Sequence, residues 1–181
     1  MMIEDEVLKW RLRRGNREAL ARIYGKYVHL LLSLAFGLLN DPHEAEDVVQ
    51  DVFVTFARNG RSLDLKGSLK AYLCKSVVNR ARDRVRRQRS RQRRAEQCVT
   101  QRTDAGQADR SLVYSERCER LAAALAELPY EQREAVVLKV KDGMTLRDIA
   151  RLQSVSVSAA HGRYRYGMKK LRALLNGEVE P

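Results

Sequence analysis

No apolar run in the 181-residue chain reaches the roughly 18 residues that a membrane-spanning helix requires. The apolar stretch from Leu30 to Leu39 is too short. The acidic start of the chain, MMIEDEVLKW, lacks the basic end and the apolar core of a signal peptide. These absences predict a cytoplasmic protein without membrane insertion.

Cysteine and histidine are scarce, with three residues of each. The cysteines are Cys74, Cys98 and Cys118. They form no CxxC pair and cannot all pair with one another, which predicts reduced, structurally neutral thiols. The histidines are His29, His43 and His161. Because they are widely separated and no carboxylates converge with them, the sequence offers little support for a nuclease or another enzyme acting on nucleic acid.

Positive charge is abundant and clustered. The chain carries 35 Lys and Arg residues against 23 Asp and Glu residues, for a net charge of +12 and a pI near 10.0. A basic chain with grouped arginines favours a polyanionic partner, either nucleic acid or an acidic membrane surface.

The stretch from Asp41 to Arg58 predicts a well-capped amphipathic helix. Asp41 is at the N-cap, Pro42 at the first helical position and Glu44 three residues after the cap, which forms a capping box. The side predicted to be buried carries Ala45, Val48, Val49, Val52 and Phe56, with Phe53 at its edge. The opposite side carries Glu46, Asp47, Gln50 and Asp51, with Val54 among them. An acidic face is often merely solvated, and that alternative stays open, but an apolar residue inside the acidic patch is an argument for a docking surface for a basic partner helix.

The start of this helix also groups possible metal ligands, His43, Glu44, Glu46 and Asp47. Two ligands on a helix must share a face to bind one ion, and no second ligand cluster occurs elsewhere in the sequence. The pattern is therefore typical of a capped helix start, and we predict no metal and no cofactor.

The stretch from Ser68 to Arg94 predicts a basic helix. Its core face carries Ala71, Cys74, Val77, Val78, Ala81 and Val85. Its outer face carries Tyr72, Ser76, Asn79, Asp83 and Arg87, with Lys75, Arg80 and Arg86 on its flanks. Nine arginines and one acid lie between Arg80 and Arg94, and such self-repulsion destabilises a helix unless a polyanion neutralises it. An aromatic ring and an amide beside this charge also suit an unstacked base, so we predict a nucleic-acid-binding face.

The remaining helices follow from apolar periodicity. A short helix is predicted from Glu4 to Gly15 and a central core helix from Arg17 to Leu39, with Asn16 as its cap. A helix from Leu112 ends at Pro129, and another runs from Glu131 to Lys141. The positions expected to face the core are Val7, Leu8, Leu12, Leu20, Ile23, Tyr24, Tyr27, Leu31, Leu34, Leu38, Val113, Cys118, Leu121, Leu125, Leu128, Ala135, Val136, Leu138 and Val140.

Apolar periodicity stops after Arg94, and residues 95–111 are polar, which predicts a flexible linker. The fold class is therefore all-α, with one small helical domain over residues 1–94 and a second over residues 112–176. Residues 177–181 form a short acidic tail.

The end of the chain predicts a helix-turn-helix. Thr145 caps the first helix, Asp148 completes a capping box, and a turn leads into a second helix from about Val157 to Leu175. The inner stripe of the second helix is Ala160, Tyr164, Gly167, Leu171 and Leu174. Its outward residues are Ser158, His161, Gly162, Arg165, Tyr166 and Lys169. Arginine, tyrosine and lysine on the outward face favour DNA binding over a purely structural hairpin.

Five strings in fixed order together resemble one family. They are ALARIYGKY (19–27), NDPHEAEDVVQDVFVTF (40–56), GSLKAYLCKSVVNRARDRVRR (67–87), ALAELPYEQREAVVLK (124–139) and TLRDIARL (145–152). The chain resembles, over residues 17–176, a sigma factor of the extracytoplasmic-function group of the sigma-70 family. Gln153 and Ser154 stand where this family usually has an apolar residue and glycine, which predicts a less well packed turn.

The resemblance implies a transcription initiation factor without enzymatic activity. Residues 17–94 would be region 2, whose Asp47, Gln50, Asp51 and Val54 would dock on the clamp helices of the polymerase β′ subunit. The loop 59–67 and the outer face of the basic helix would capture a flipped base of the promoter −10 element and steady the strands, with site residues Tyr72, Ser76, Asn79, Arg80, Asp83, Arg86 and Arg87.

Residues 113–176 would be region 4, which binds the β flap and reads the −35 element. Its site residues would be Ser158, His161, Arg165, Tyr166 and Lys169. The linker would thread the RNA exit path, and the resemblance also implies an anti-sigma factor as a partner. A stand-alone helix-turn-helix regulator remains the alternative. It would bind duplex DNA as a symmetric dimer, for which the sequence offers no obvious dimerisation helix.

Overall fold

The computed structural model describes residues 2–60, 68–97 and 116–176, and within these ranges all regular structure is α-helical. The helices are α1 (Met2–Arg13), α2 (Arg17–Leu39), α3 (Pro42–Asn59), α4 (Leu69–Gln97), α5 (Glu116–Ala126), α6 (Tyr130–Lys141), α7 (Leu146–Gln153) and α8 (Val157–Asn176). The all-α prediction is confirmed. Most of the predicted linker lies outside the described residues, and α4 continues to Gln97, three residues into it.

Side-chain caps define several helix starts as the sequence predicts. The Asn16 side chain accepts from the backbone N–H of Ala19, and the Asp41 side chain accepts from that of Glu44. The Thr145 hydroxyl oxygen accepts from the N–H of Asp148 at 3.2 Å. Each cap satisfies a backbone donor that has no partner inside its helix. These contacts explain why the observed starts of α2, α3 and α7 agree with the predicted ones.

Helices α1 to α4 form an N-terminal bundle around α2. The apolar sides of α1, α3 and α4 all pack on this helix, whose Ile23, Leu31 and Leu38 are fully buried. Three predicted core positions are wrong: Val7 and Tyr24 are 43% and 49% exposed, and Ala71 is also exposed. Each lies at the margin of its helix's apolar stripe, where the packing angle of the neighbouring helix decides burial. In α4 the core positions include Leu69 and Leu73 instead.

Helices α5 to α8 form the C-terminal half, in which α8 packs on α5, α6 and α7. The predicted inner residues Cys118, Leu121 and Val140 are exposed, whereas Val137 and Glu134 are buried. Val137 and Glu134 are buried because α6 contacts α8 on one side and α2 on the other, so the buried surface of α6 is wider than one apolar stripe. The predicted positions Leu112 and Val113 lie outside the described residues.

One hydrophobic cluster runs through both halves. It joins the core of the N-terminal bundle to residues of α6, α7 and α8, among them Val137, Leu138 and Ile149. The close approach of α2 and α6 depends on Gly37, where a β-carbon would lie 3.2 Å from a methyl group of Val137. The two halves are therefore packed against each other.

Candidate nucleic-acid interface

The outer face of α3 is acidic and has an apolar groove beside it. The Asp47 and Asp51 side chains are 60% and 55% exposed, Gln50 is exposed, and Val54 is 43% exposed. Gln50 and Val54 also line a groove between α2 and α3. Its apolar side chains are Leu20, Tyr24, Val28, Leu32, Val49 and Phe53. The rings of Tyr24 and Phe53 are in contact, with centroids 4.8 Å apart.

Ion pairs join this acidic face to the basic helix α4. Arg84 pairs with Glu44 at 2.8 Å and with Asp47 at 3.1 Å. Arg80 lies 3.6 Å from Asp51 and donates to the hydroxyl of Thr55 at 3.0 Å. The predicted polymerase-binding acids are thus in direct contact with predicted DNA-binding arginines, an arrangement that the sequence alone did not reveal.

The predicted −10 residues share one side of α4 but differ in exposure. Asn79, Arg80, Arg86 and Arg87 are exposed, whereas Tyr72, Ser76 and Asp83 are half-buried. The Tyr72 ring packs on Phe56 with centroids 5.9 Å apart, and the Ser76 hydroxyl donates to the backbone oxygen of Tyr72 at 2.9 Å. Asp83 pairs with Arg86 at 3.1 Å.

The arginine row of α4 is largely neutralised within the chain. Arg80, Arg82, Arg84, Arg86 and Arg89 each pair with an acid. The sequence suggested that repulsion among these arginines requires a polyanionic partner. Acids of α3, α4 and α6 already offset much of that repulsion, so it is no longer an argument for such a partner. Among the described residues, the exposed Arg87 and Arg91 have no acidic partner, and they keep a charged edge toward solvent.

Arg82 connects the two halves. Its Nε and Nη2 donate to the two carboxylate oxygens of Glu134 at 2.6 and 2.7 Å, and its Nη1 donates to the backbone oxygen of Leu152. The Glu134 side chain is only 2% exposed. Gln153 Nε2 also donates to Glu134, at 2.8 Å, and Arg163 donates to the Gln153 side-chain oxygen at 2.9 Å.

Gln153 therefore belongs to a polar network, which accounts for an amide where the family usually has an apolar side chain. Its neighbour Ser154 adopts the left-handed conformation, with φ of 54°, that glycine usually supplies. The sequence carried one signal for this network, because Glu134 directly precedes an apolar run. An acid buried with such a run is destabilising unless a positively charged or hydrogen-bonding group pairs with it.

A second polar contact between the halves involves a cysteine. Lys70 pairs with Asp142 at 2.8 Å, and the Cys74 thiol donates to the same carboxylate at 3.5 Å. Burial, together with the negative charge of Asp142, raises the pKa of Cys74 to about 12. Cys74 is therefore an uncharged, unreactive thiol that takes part in the contact between the halves. Cys118 is exposed, and Cys98 lies outside the described residues.

The predicted −35 residues form one exposed face of α8. Ser158, His161, Arg165, Tyr166 and Lys169 are all exposed. The guanidinium of Arg165 lies 5.1 Å from the centroid of the Tyr166 ring, and Tyr166 is 57% exposed. The face points away from the α6 and α7 contacts of the helix, whose buried residues are Ala160, Gly167 and Leu171. This face of α8 is therefore exposed and accessible to a ligand.

No group of three or more metal-binding side chains occurs in the described ranges, so His43, Glu44, Glu46 and Asp47 do not form such a group. No helix in the same ranges is long and apolar enough to cross a membrane.

Known proteins match the whole architecture. The family model of Sigma-70 region 2 matches residues 23–91, and that of Sigma-70 region 4 matches residues 118–171. The chain is 25% identical to the ECF RNA polymerase sigma factor SigW of Bacillus subtilis, over 97% of each chain. It is 29% identical to the RNA polymerase sigma factor CarQ of Myxococcus xanthus, over 94% of this chain and 96% of that one.

The fold agrees with these matches. The structure of CnrH, solved in complex with the cytosolic domain of CnrY, superposes with a TM-score of 0.67 at 25% identity. That match covers 97% of this chain and 99% of CnrH, so it includes both halves. The chain belongs to the sigma-70 family of RNA polymerase sigma factors and, within that family, to the extracytoplasmic-function group.

Proposed function

We propose that the outer face of α3 holds core RNA polymerase while the outer faces of α4 and α8 bind the −10 and −35 elements of the promoter. As a sigma factor, the chain is a transcription initiation factor that directs polymerase to promoters. The observation that carries the proposal is the division of surface between adjacent helices, with exposed acids and Val54 on α3 and exposed arginines and Asn79 on α4.

The polymerase contact is assigned to Asp47, Gln50, Asp51 and Val54, together with the apolar groove beside them. An acidic rim with an apolar centre suits a basic, amphipathic partner such as the β′ clamp helices. The ion pairs of Asp47 and Asp51 with α4 are exposed, so each contributes less than about 1 kcal/mol and is readily exchanged for a pair with the partner.

The −10 contact is assigned to Tyr72, Ser76, Asn79, Arg80, Asp83, Arg86 and Arg87. An exposed amide can form hydrogen bonds with the edge of an unstacked base, and the arginines can neutralise phosphates. Capturing a base offsets an unstacking cost of a few kcal/mol. Strand separation in this scheme makes and breaks no covalent bond, so we assign the chain no enzymatic activity.

The −35 contact is assigned to Ser158, His161, Arg165, Tyr166 and Lys169 on α8. A helix presenting arginine, lysine and hydroxyl groups suits the major groove, where phosphates position the helix and base edges specify it. We also assign the C-terminal half a contact with the β flap. The factor would act in the cytoplasm, where polymerase and promoter are found. Because CnrH was solved in complex with another protein, the cytosolic domain of CnrY, we propose that this chain also has a protein partner, an anti-sigma factor.

Run-off transcription with core polymerase tests the proposal as a whole, and start-site mapping would then define the promoter. Transcripts that begin at discrete sites only when the factor is present would support it. Tight, specific binding to duplex DNA without polymerase, in a gel shift, would instead favour a stand-alone regulator.

A double variant tests the polymerase contact. Asp51→Arg with Val54→Glu changes the charge and the apolar centre of the α3 face, and it is expected to weaken co-purification with core polymerase. Glu18→Arg with Val7→Glu makes the same changes at exposed positions of α2 and α1 and is expected to co-purify normally. Equal co-purification of both variants and the unaltered chain would refute the assignment.

A further inference from the structure

A basic, aromatic patch covers the exposed side of α1, outside every surface assigned above. Trp10 is 53% exposed and Val7 is 43% exposed, although both are large apolar side chains. One shallow depression is lined by Trp10, Arg11 and Arg13 together with Glu6, Val7 and Lys9. The guanidinium of Arg14 lies 3.9 Å from the centroid of the Trp10 ring. We call these residues, Trp10, Arg11, Arg13 and Arg14, the α1 patch.

The patch keeps positive charge available. Among the described residues, neither Arg11 nor Arg14 has an acidic partner. Two acids of α1, Glu4 and Asp5, bind Lys26 at the start of the helix, both at 2.7 Å, and the third, Glu6, lines the same depression and pairs with Lys9. Basic residues at a helix C-terminus are favoured by the helix dipole, but the dipole gives no reason to expose an indole ring beside them.

The α1 patch is also held in a fixed place. Leu8 and Leu12, on the opposite side of α1, are buried in the core of the bundle. A β-carbon on Gly60 would lie 3.0 Å from Leu12, so the basic end of α1 sits against the end of α3. α4, the helix to which the −10 contact is assigned, packs on the same helix α2 as α1 does.

We propose that the α1 patch binds single-stranded DNA, as an extension of the −10 surface. Base stacking on an exposed indole requires an unstacked base, and flanking arginines supply phosphate contacts. The exposed cation–π pair of Arg14 and Trp10 provides a flat surface on which a base can stack. The inference rests on the proposed function, because promoter melting is what supplies separated strands beside α4.

Trp10 is the one tryptophan of the chain, so its fluorescence reports directly on the patch. A short single-stranded DNA oligonucleotide, titrated into the full-length chain, is expected to quench this emission. The same sequence annealed as a duplex is expected to quench it much less. Equal quenching by the duplex would overturn the single-strand assignment, since stacking on Trp10 would then not be required.

Two variants test the residues. Arg11→Gln with Arg14→Gln is expected to reduce oligonucleotide affinity and to lower the salt slope of log K by about 1.4, at roughly 0.7 per phosphate contact. Arg22→Gln with Arg172→Gln removes the same charge from α2 and α8 and serves as the control. Trp10→Ala is expected to weaken binding of a labelled oligonucleotide roughly tenfold. Circular dichroism establishes that each variant remains helical.

The outcomes separate this inference from the proposed function. Quenching that is absent, or equal in the Arg11/Arg14 variant and its control, would overturn the α1 site even if run-off transcription succeeds. Quenching without any run-off transcription would leave the site standing and refute the proposed function. A blue shift of Trp10 emission with phosphatidylglycerol vesicles, but no quenching by the oligonucleotide, would overturn the site in favour of an anionic lipid surface.

Discussion

The guanidinium of Arg82 in α4 and the carboxylate of Glu134 in α6 form a two-point ion pair that joins the two halves of the chain, with N–O distances of 2.6 and 2.7 Å. Arg82 stands in the arginine row of the helix assigned to promoter DNA, yet this contact commits its side chain to the C-terminal half. The same pair fixes α6 against α4, so the relative position of the two faces that we assign to DNA depends on it.

Glu134→Gln is expected to destabilise the packed arrangement. The change keeps the shape of the side chain but removes its charge, and it leaves the half-buried Arg82 without an ionic partner. The expected loss is roughly 2–3 kcal/mol, below the 3–5 kcal/mol of a fully buried pair because Arg82 remains 28% exposed. Urea denaturation measures the loss, and small-angle X-ray scattering is expected to show a larger radius of gyration.

Arg89→Gln is the matched control for that experiment. Arg89 pairs with Glu131 at 3.2 Å across the same two helices, but both side chains are about half exposed. Exposed pairs contribute at most about 1 kcal/mol, so this variant is expected to remain compact and nearly as stable as the unaltered chain. Equal effects of the two variants would show that burial of Glu134 does not strengthen the contact.

Asn79→Ala is expected to reduce promoter opening more than polymerase binding. Asn79 is exposed on α4 and forms no side-chain hydrogen bond within the described ranges, so its loss should leave the fold intact. A lost contact to a base edge is worth roughly 1–3 kcal/mol, or about 5- to 150-fold in opening. Permanganate footprinting of unpaired thymines measures the opening, with co-purification as the control. Unchanged opening would remove Asn79 from the −10 site.

Local patterns in the sequence predicted most helices because their causes are local. The capping residues Asn16, Asp41 and Thr145 each act within three residues, so the starts of α2, α3 and α7 follow from the sequence. The same holds for the outer faces of α3 and α8, since a helix with one packed side exposes the opposite one.

Contacts between distant helices could not be predicted in this way. Arg82 and Glu134 are 52 positions apart, and nothing in the local pattern of α4 distinguishes Arg82 from its neighbours. In α6, amphipathic analysis assumes one packing partner, whereas the helix has two, and it therefore misplaced Val137 and Val140. The pairing of Asp47 with Arg84 likewise depends on how α3 and α4 are placed together.

The two glycines of α8 are expected to respond in opposite directions to alanine. Nothing lies within 4 Å of a β-carbon built on Gly162, so Gly162→Ala should stabilise the helix by about 0.5–1 kcal/mol. A β-carbon on Gly167 would lie 2.9 Å from Val136 and 3.2 Å from the backbone oxygen of Gln132. Gly167→Ala should therefore destabilise the contact of α6 and α8. Thermal unfolding measures the stability of both variants. A stabilising effect of Gly167→Ala would show that α6 and α8 do not need glycine where they cross.

The attachment of α1 to α2 is expected to weaken in acid. Burial opposes ionisation of Asp5, but hydrogen bonds from Lys26 and Tyr27, each 2.7 Å long, outweigh it and lower the pKa of Asp5 below its usual 3.8. A carboxyl whose pKa is lower in the folded state stabilises the fold above the unfolded value. That contribution is lost as the pH falls from about 3.8 through the lowered pKa. Trp10, on the same helix, reports the change by fluorescence.

Asp5→Asn isolates this contribution, because the amide keeps its shape but cannot ionise. The variant should lose about 1–2 kcal/mol of stability at pH 7, as expected for a hydrogen bond to a charged group. The difference between the variant and the unaltered chain should then shrink below pH 3.8, where the carboxyl of the unaltered chain also becomes neutral. Other carboxyls of the chain titrate in both proteins and cancel in that difference. A difference that stays constant down to pH 2 would show that the charge of Asp5 does not hold α1 in place.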